Sequence, residues 1–171
     1  LRFMAGQRAR LTDEDGHSTE YPIASCPCDG RNLEFLILRR PDDAFAVGAM
    51  ERKIKNQVIL VEGPIGEFLL REETTEPAVF IAFGPGFAPI KSLVEQSISI
   101  DRAEHLHLYR VDRPLSGSRL DNLCRAWNDS LDNLSFTLIE QDQSATAVLS
   151  RIRKDVEDLE ACALYVAGRT D

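Results

Sequence analysis

The order of apolar and polar residues changes character near residue 72. Up to that point, short apolar stretches alternate with turn residues and predict strands at QRARLT, YPIAS, LEFLILR, QVILVEG and EFLLR. Turn sequences such as DEDG, CDG and RRPDD separate these stretches. A short helix is predicted across AFAVGAMERKI, where Phe45, Met50 and Ile54 share one face. We therefore predict an antiparallel sheet or a small barrel for this half.

Beyond the polar segment EETTEP, at residues 72–77, strands alternate with helices. AVFIAF is a continuous apolar run typical of a buried parallel strand, and HLHLY, LSFTLI and ALYVAG predict three more strands. Three helices between them carry apolar residues three and four positions apart. These positions are Ile90, Leu93, Val94 and Ile98, then Leu120, Leu123, Trp127 and Leu131, then Val148, Ile152, Val156 and Leu159. The alternation predicts a parallel sheet, so we predict two domains, at residues 1–74 and 75–171.

Composition and charge limit the classes of function. The chain has 171 residues, 43% of them hydrophobic, which is enough to bury the core of one large domain or two small ones. A formal net charge of -8 argues against nucleic acid or anionic lipid as a partner. No apolar run approaches the roughly 18 residues of a membrane span. We therefore predict a cytoplasmic protein.

The cysteines and histidines do not predict a metal site. Cys26 and Cys28 have the wrong spacing for a zinc knuckle, and no second pair matches them. The four cysteines are predicted to be reduced and structural. His105 and His107 alternate with leucines, as one face of a strand does.

The stretch FGPGFAP follows the first strand of the second half. Gly84 and Gly86 bare the backbone there, and Pro89 suits the first turn of the helix that follows. A helix N-terminus offers free N–H groups and a positive dipole end, and ligands bind at the carboxyl ends of parallel strands. The corner therefore indicates a pyrophosphate site, although a glycine-rich turn without a ligand is the open alternative.

Five stretches, in order along the chain, resemble motifs of the ferredoxin–NADP reductase superfamily. FMAGQ resembles its Phe-x-Pro-Gly-Gln lead into a strand, and YPIAS resembles the Arg-x-Tyr-Ser flavin motif with its Ile-Ala-Ser extension. VEGPIGEF resembles a Gly-Pro-x-Gly-x-Phe turn, FGPGFAP resembles Gly-x-Gly-x-x-Pro after a strand, and YVAGRTD resembles the Tyr-Val-Cys-Gly-Pro strand end. More narrowly, the chain resembles bacterial NAD(P)H-dependent flavin reductases and the reductase modules of oxygenase systems.

The resemblance implies a six-stranded antiparallel flavin-binding β-barrel followed by an NAD(P)-binding α/β domain. NADH or NADPH would reduce FAD, or FMN as the alternative flavin, and electrons would pass to an acceptor such as a 2Fe–2S domain or protein. The implied flavin-binding residues are Tyr21, Pro22, Ile23, Ala24 and Ser25. The implied nucleotide-binding residues are Gly84, Gly86, Phe87, Ala88, Pro89, Tyr109, Arg110 and Gly168. No catalytic acid or base is implied.

Three departures from the motifs concern the flavin. Thr19 stands at the motif's Arg position, and Pro22 stands at its Ser position. The family's phosphate-binding Gly-x-x-Ser appears as residues 43–46, Asp-Ala-Phe-Ala, which places a carboxylate near the expected diphosphate. We expect weaker FAD diphosphate binding, with compensation from Arg39 or Arg40 on the neighbouring strand.

Other departures lie in the second half and at the ends. Pro85 replaces the usual Thr between the glycines, and Ala167 replaces the Cys, so no thiol is expected beside the nicotinamide. Only about five barrel strands are found. We therefore expect one further strand before Leu1 and a further helix after Asp171.

Two functions follow from these observations. The first is an NAD(P)H-dependent flavin oxidoreductase, and the alternative is a degenerate module of the same fold that binds a nucleotide or a partner without turnover. For the donor, Asp112 would accept a hydrogen bond from the ribose 2′-OH of NADH, whereas Arg110, Arg113 and Arg119 would meet the 2′-phosphate of NADPH. The sequence slightly favours NADH.

Overall fold

Two sheets build the protein. The computed structural model describes residues 1–51, 58–113, 118–140 and 143–168. The first sheet holds strands β1 (Arg8–Thr12), β2 (Ser18–Pro22) and β3 (Leu60–Ile65) in the order β2-β1-β3, and both pairings are antiparallel. Helix α1 (Ala44–Met50) packs beside it, with Tyr21, Leu11 and Phe45 in a shared core cluster. The predicted barrel is therefore present as an incomplete, three-stranded antiparallel sheet.

Two of the predicted strands of this half are not strands. The stretch at residues 33–39 forms only an isolated bridge, from Phe35 to Ile23, and the stretch at 67–71 forms no strand. Leu36, Phe68 and Leu70 from these stretches instead pack on the core cluster of the second half. Their apolar side chains, which produced the strand prediction, are thus used to join the two halves. Ile54 of the predicted helix lies outside the described residues.

The second half is the predicted parallel sheet with helices. Its strands are β4 (Ala78–Phe83), β5 (Leu106–Asp112), β6 (Leu134–Glu140) and β7 (Ala163–Ala167), in the order β6-β5-β4-β7. All three pairings are parallel. The helices are α2 (Phe87–Ile100), α3 (Arg119–Ser130) and α4 (Ala145–Asp155), so every predicted strand and helix of this half is confirmed.

The helices cover both faces of this sheet and create a reversal in strand order. Side chains of α2 and α3 pack with Phe80 and Leu108 on one face, whereas α4 packs with Val79, Ile81 and Val111 on the other. The chain thus proceeds from β4 outward to β6, and then returns across the sheet to β7 on the other side of β4. A crevice for ligands is expected where such a reversal occurs, beyond the carboxyl ends of β4 and β7.

One expectation about the cysteines is wrong. Cys26 and Cys28 are joined in a disulfide, while Cys124 and Cys162 are free. A turn closed by the N–H of Asp29, which donates to the carbonyl of Cys26 over 3.1 Å, brings the two Cα atoms within 5.1 Å. That separation lies in the range that a disulfide requires.

Among the described residues, the structure contains no helix that combines the length and the apolar character needed to cross a membrane.

Candidate nucleotide and flavin site

The glycine corner forms the start of a helix that carries no side-chain cap. After β4, Gly84–Gly86 form a 3₁₀ turn that runs directly into α2, and the N–H of Phe87 donates to the carbonyls of Gly84 and Pro85. The turn at Gly84–Gly86 therefore leads directly into the first residue of α2. The N–H groups of Gly84 and Gly86 lie in the first turn, where no intrahelical acceptor exists, and Pro85 has none to offer. No side-chain oxygen accepts from this turn, so its positive end is available to an anion.

At this corner, each of three positions favours glycine for a different physical reason. Gly84 adopts a left-handed φ of +49°, and a side chain built on it would meet no atom within 4 Å. Gly86 packs against the end of β7, because a Cβ there would lie 2.2 Å from the carbonyl oxygen of Ala167. A Cβ on Gly168 would lie 2.7 Å from the Cβ of Phe83. Gly84 is therefore the open face of the corner, and the other two let β4, β7 and α2 approach closely.

The next three residues of the corner are buried beneath it. Phe87, Ala88 and Pro89 are all buried, and Phe87 belongs to the core cluster of the second half. The Phe87 ring lies under the guanidinium of Arg110, whose Cζ is 4.9 Å from the ring centroid. These side chains have little surface for a nucleotide, and they fix the position of the turn from below.

Arg110 is buried between two carboxylates at the end of β5. Its Nη1 is hydrogen-bonded to Asp121 in the first turn of α3, and its Nη2 donates to Asp112 over 2.7 Å. Only 6% of the side chain is exposed. The two carboxylates thus neutralise the guanidinium and hold it in place. Among the buried side-chain nitrogen and oxygen atoms of the described residues, the Nε of Arg110 is the one that lacks a hydrogen-bond partner.

Tyr109, the neighbouring residue, points to the other face of the sheet. It is 2% exposed and packs in the cluster under α4. Burial, together with the charge of Asp155, raises the pKa of Tyr109 to about 12. Its side chain has almost no surface to offer to an adenosine, and its observed role is in the core.

On the first sheet, the carboxylate of Asp43 accepts hydrogen bonds from polar side chains of the predicted flavin motif. Asp43 Oδ2 accepts from the hydroxyl of Tyr21 over 2.6 Å, and Oδ1 accepts from Thr19 Oγ1 and from the N–H of Ala46, each over 3.0 Å. Asp43 is 6% exposed and is the N-cap of α1. Burial raises the pKa of Asp43, but these hydrogen bonds outweigh burial and hold the pKa below its ordinary value. Burial and the same carboxylate raise the pKa of Tyr21 well above its ordinary range.

This arrangement tests whether FAD fits the site. The motif residues that would meet a flavin diphosphate, Thr19 and the start of α1, already bond the Asp43 carboxylate. Two anions in the same buried place repel each other and compete for the same donors. The diphosphate of FAD therefore does not fit at α1 as the structure has it.

The predicted flavin-lining segment after β2 is the seam between the two halves. Ile23 and Ala24 are fully buried, and Ser25 Oγ accepts from the N–H of Glu34 over 3.1 Å. The carbonyl of Ala24 accepts from Lys91 Nζ over 3.1 Å, and the carbonyl of Ser25 accepts from Ser92 Oγ over 2.7 Å. Both donors lie on α2, one turn after the glycine corner.

Sequence reasoning missed Lys91 and Ser92. Lys91 is 5% exposed and pairs with Glu34 and Glu95, each over 2.8 Å, while Ser92 is fully buried. The one signal in the sequence is that these two polar residues interrupt the apolar positions of Ile90 and Leu93. Such an interruption indicates a buried polar contact only when a partner is known, and the partner lies 67 residues away.

Arg39 is not brought to the site. It is exposed, and the residues around it form no strand. The neighbouring Arg40 has the electrostatic effect on Asp43, whose pKa it lowers, although its Nη2 is paired with Asp42 over 2.6 Å. Pro22 is half-buried at the end of β2.

Two other features do not belong to this site. A cavity of about 10 Å³ is lined by residues that include Ala78 and Ala163, the first residues of β4 and β7. It therefore lies at the amino ends of these strands, opposite the glycine corner, and has room for about one water. Asp13, Asp15 and His17 lie close enough to share a cation. However, Asp13 already accepts from the N–H of His17 over 2.8 Å and contacts its ring, as in an ordinary turn.

The described residues form a two-part fold, a three-stranded antiparallel sheet followed by a four-stranded parallel sheet with helices. No protein-family model matches the chain. A reductase of CDP-6-deoxy-L-threo-D-glycero-4-hexulose-3-dehydrase from Yersinia pestis is 26% identical over 98% of this chain and 52% of its own length. An NAD(P)H-flavin reductase from Vibrio harveyi is 26% identical over 98% of this chain and 75% of its own.

A third relative is the ferredoxin–NAD(P)⁺ reductase component of the naphthalene 1,2-dioxygenase system of Pseudomonas putida, 26% identical over 98% of this chain and 53% of its own length. The chain thus spans about half the length of the Yersinia and Pseudomonas relatives. Among solved structures, the ferredoxin reductase of carbazole 1,9a-dioxygenase has a TM-score of 0.76 with 20% identity, over 96% of this chain and 52% of its own.

A ferredoxin–NADP⁺ reductase from Neisseria gonorrhoeae with bound FAD and NADP has a TM-score of 0.72 with 18% identity, over 97% of this chain and 74% of its own. The relatives and structural neighbours are therefore ferredoxin–NADP reductase-type proteins, NAD(P)H-flavin reductases and oxygenase reductase components. This confirms the resemblance that the five motifs predicted, and the fold class with it.

Proposed function

We propose that the chain is the nicotinamide- and flavin-binding part of an NAD(P)H-dependent flavin oxidoreductase. The observation that carries the proposal is the uncapped helix start at Gly84, beyond the strand-order reversal, on the same helix that bonds the flavin-motif segment. The names of the relatives support it, because they are flavin reductases and ferredoxin reductases. For the same reason, the non-catalytic alternative is not favoured.

The roles of the residues follow from their places. The N–H groups of Gly84 and Gly86 bind the nucleotide's pyrophosphate, and Gly168 borders the nicotinamide in the crevice. Tyr21, Pro22 and the Ile23–Ser25 segment line the flavin ring. A flavin supplies the hydride-accepting chemistry, so this chain has to bind, orient and exclude water, and no side chain has to act as an acid or a base.

The donor that this arrangement favours is NADH. Asp112 is the last residue of β5, where an acidic side chain accepts hydrogen bonds from a ribose 2′-OH. Arg110 on the same strand is buried and bonded by two carboxylates, so it is not free for a 2′-phosphate. The exposed Arg113 and Arg119 are the remaining cations near the end of β5, and they are the side chains that would meet a 2′-phosphate.

For the acceptor, we propose a protein with a 2Fe–2S centre or a small molecule, and we propose a cytoplasmic location. The acceptor rests on the relatives, one of which is the reductase component of a dioxygenase system. The chain's own net charge of -8 fits an acceptor surface that carries a positive patch.

An anaerobic visible spectrum tests the proposal. The chain is mixed with a flavin, and NADH or NADPH is then added. We expect the flavin absorbance band to bleach faster in the presence of the protein than in the same solution without it. We also expect it to bleach faster with NADH than with NADPH. Bleaching at the rate of free flavin with both donors would refute the proposed function, and equal rates with the two donors would refute the donor assignment alone. Pro85→Ser, which changes an exposed side chain of the same turn, serves as the control.

A further inference from the structure

The disulfide between Cys26 and Cys28 lies directly after the segment that joins the two halves. Its cysteines are only two positions apart, and Cys26 follows Ser25, whose carbonyl is bonded by α2. We propose that this disulfide is a thiol–disulfide exchange site that takes dithiols as its substrate, with the sulfur of Cys28 as the point of attack. The inference goes beyond the proposed function and does not depend on the binding of a flavin or a nucleotide.

The short spacing argues against a role as a structural cross-link. A disulfide stabilises a fold mainly by restricting the unfolded chain, and this effect grows with the length of the loop that it closes. Here Pro27 alone lies between the two cysteines. The preceding segment is also held without the disulfide, because Lys91 and Ser92 donate to its carbonyls. Reduction should therefore leave the fold in place.

The two sulfur atoms differ in their surroundings. Cys28 is exposed, whereas Cys26 is 4% exposed. A dissolved thiolate therefore reaches the sulfur of Cys28, and Cys26 is the leaving group. The N–H of Cys28 donates to Cys26 Sγ over 3.1 Å. Such a bond stabilises the negative charge that the leaving sulfur acquires, and a better stabilised thiolate leaves faster.

The reduced form of Cys26 also has a hydrogen-bond partner in place. Its Sγ lies 3.3 Å from Oε1 of Gln96 on α2. A disulfide sulfur has no hydrogen to donate, so this contact becomes a hydrogen bond only when Cys26 is a thiol. Gln96 Nε2 donates to Glu72 over 2.8 Å, which directs Oε1 towards the sulfur. Both redox states therefore fit the same backbone.

The exchange takes place in two balanced steps. A thiolate of the dithiol attacks Cys28 Sγ, the disulfide bond of the protein breaks, and Cys26 leaves as a thiolate that takes up a proton. The second thiolate of the dithiol then attacks the reagent's own sulfur in the mixed disulfide, and Cys28 leaves and is protonated in turn. Two electrons and two protons thus pass to the protein, and the dithiol leaves as a cyclic disulfide.

The geometry favours dithiols over monothiols. Pro27 has a fixed φ, and the N–H of Asp29 donates to the carbonyl of Cys26 over 3.1 Å, so the two cysteines stay close after reduction. Cys26 can then attack a mixed disulfide on Cys28 and expel a monothiol. The second thiol of a dithiol competes with Cys26 because its own attack is also intramolecular. In a reducing compartment, such as the cytoplasm proposed above, disulfides are commonly transient and take part in catalysis or redox sensing.

The test counts thiols in the folded chain. The unaltered chain, purified without reductant, is treated under native conditions with dithiothreitol or with glutathione at equal thiol concentration. Samples are quenched with acid and alkylated in denaturant, and the intact mass gives the number of thiols. We expect two alkylated cysteines before reduction, because Cys124 and Cys162 are free, and all four after it. Dithiothreitol should reduce the pair at least about tenfold faster than glutathione does.

Two matched variants test the point of attack. Cys26→Ser leaves the exposed Cys28 as a free thiol, and Cys28→Ser leaves the buried Cys26. An aromatic disulfide reagent should modify Cys28 in the first variant at least about tenfold faster than Cys26 in the second. Peptide mapping assigns the modified cysteine, so that Cys124 and Cys162 do not contribute to the comparison.

Each of three outcomes would overturn the inference or part of it. Four alkylated cysteines in the chain purified without reductant would show that the pair is not a disulfide. Reduction by dithiothreitol only after the chain is unfolded would show a structural cross-link. Equal rates for the two serine variants would contradict Cys28 as the point of attack. None of these measurements uses a flavin or NADH, so each result leaves the proposed reductase function to its own test.

Discussion

The two halves of the molecule each place a helix start at the expected site of a phosphate, and they treat it in opposite ways. At Gly84 the first turn has no side-chain cap and a glycine with open space around it. At α1 the first turn is closed by Asp43, which bonds its own helix and the neighbouring strand. The same backbone dipole therefore favours a ligand's anion in one half and is already satisfied by the chain in the other. Helix starts alone do not identify phosphate sites; the side chain at the cap decides.

The largest expected effect comes from a side chain at the closely packed glycine of the corner. Gly86→Ala places a Cβ 2.2 Å from the Ala167 oxygen, so the end of β7 or the turn has to shift. We expect the free energy of unfolding to fall by about 3 kcal/mol, as for overpacked sites, and NADH binding to be lost with the geometry of the turn. Urea denaturation measures the first and titration with NADH the second.

Gly84→Ala is the matched control for this variant. It meets no atom within 4 Å and has only its left-handed φ of +49° to accommodate, which costs about 1 kcal/mol. An equal loss of stability from the two substitutions would contradict the view that close packing, rather than backbone conformation, explains Gly86.

The next largest effect is expected from removal of the carboxylate that caps α1. Asp43→Ala removes the cap and leaves the Tyr21 hydroxyl buried without its acceptor, so we expect a loss of about 2 kcal/mol in unfolding free energy. Tyr21→Phe combined with Asp43→Ala should cost less than the sum of the two single variants, because each single variant breaks the same bond. Additive losses, measured by thermal or urea unfolding, would show that the hydroxyl has another partner.

A carboxylate placed at the uncapped glycine corner, like the one that caps α1, should weaken the binding of NADH. Pro85 is exposed in the first turn of the glycine corner, and Pro85→Asp puts a carboxylate there. The dipole tolerates that charge, so stability should hardly change, while the KM for NADH should rise about tenfold through competition with the pyrophosphate. Pro85→Asn is the neutral control. A KM that is equal in the two variants would mean that the pyrophosphate binds elsewhere.

The smallest effect is in the acid stability of the first half. Because hydrogen bonds hold the pKa of Asp43 below its ordinary value, its stabilising contribution is present above about pH 4, the unfolded value, and is lost as the pH falls through the lower folded value. Asp43→Asn should therefore lose less stability than the unaltered chain between neutral and acid pH. The other carboxylates contribute to both proteins and cancel in the difference. Parallel pH profiles of unfolding free energy would contradict this assignment.

The sequence predicted the second half better than the first, for a physical reason. A buried parallel strand and an amphipathic helix are local patterns, and every predicted strand and helix after residue 75 is present. In the first half, apolar runs such as those around Leu36 and Phe68 pack against the other half instead of pairing as strands. Apolar character alone does not distinguish these two kinds of burial.

At the candidate site, local motifs located the elements but did not reveal the contacts. The Gly84–Gly86 turn lies where the motif predicted, yet Gly86 faces β7, Tyr109 faces the core, and Arg110 is held by Asp121. Each of these facts depends on a partner distant in sequence. The unfavourable position of Asp43 was visible from the motif, whereas its three bonds required the fold.

Helix α2 connects the glycine corner after β4 with the segment that follows β2. The glycine corner leads directly into this helix, and about two turns after Gly84 the side chains of Lys91 and Ser92 bond the carbonyls of Ala24 and Ser25. At 1.5 Å per residue, about 10 Å of rigid helix separates the two attachment points. In the proposed function, the spacing between the nucleotide site and the flavin site is therefore set by the length of one helix. Deleting or inserting one residue between Phe87 and Lys91 should therefore shift the two proposed sites relative to each other, and the rate at which NADH bleaches the flavin would report that shift.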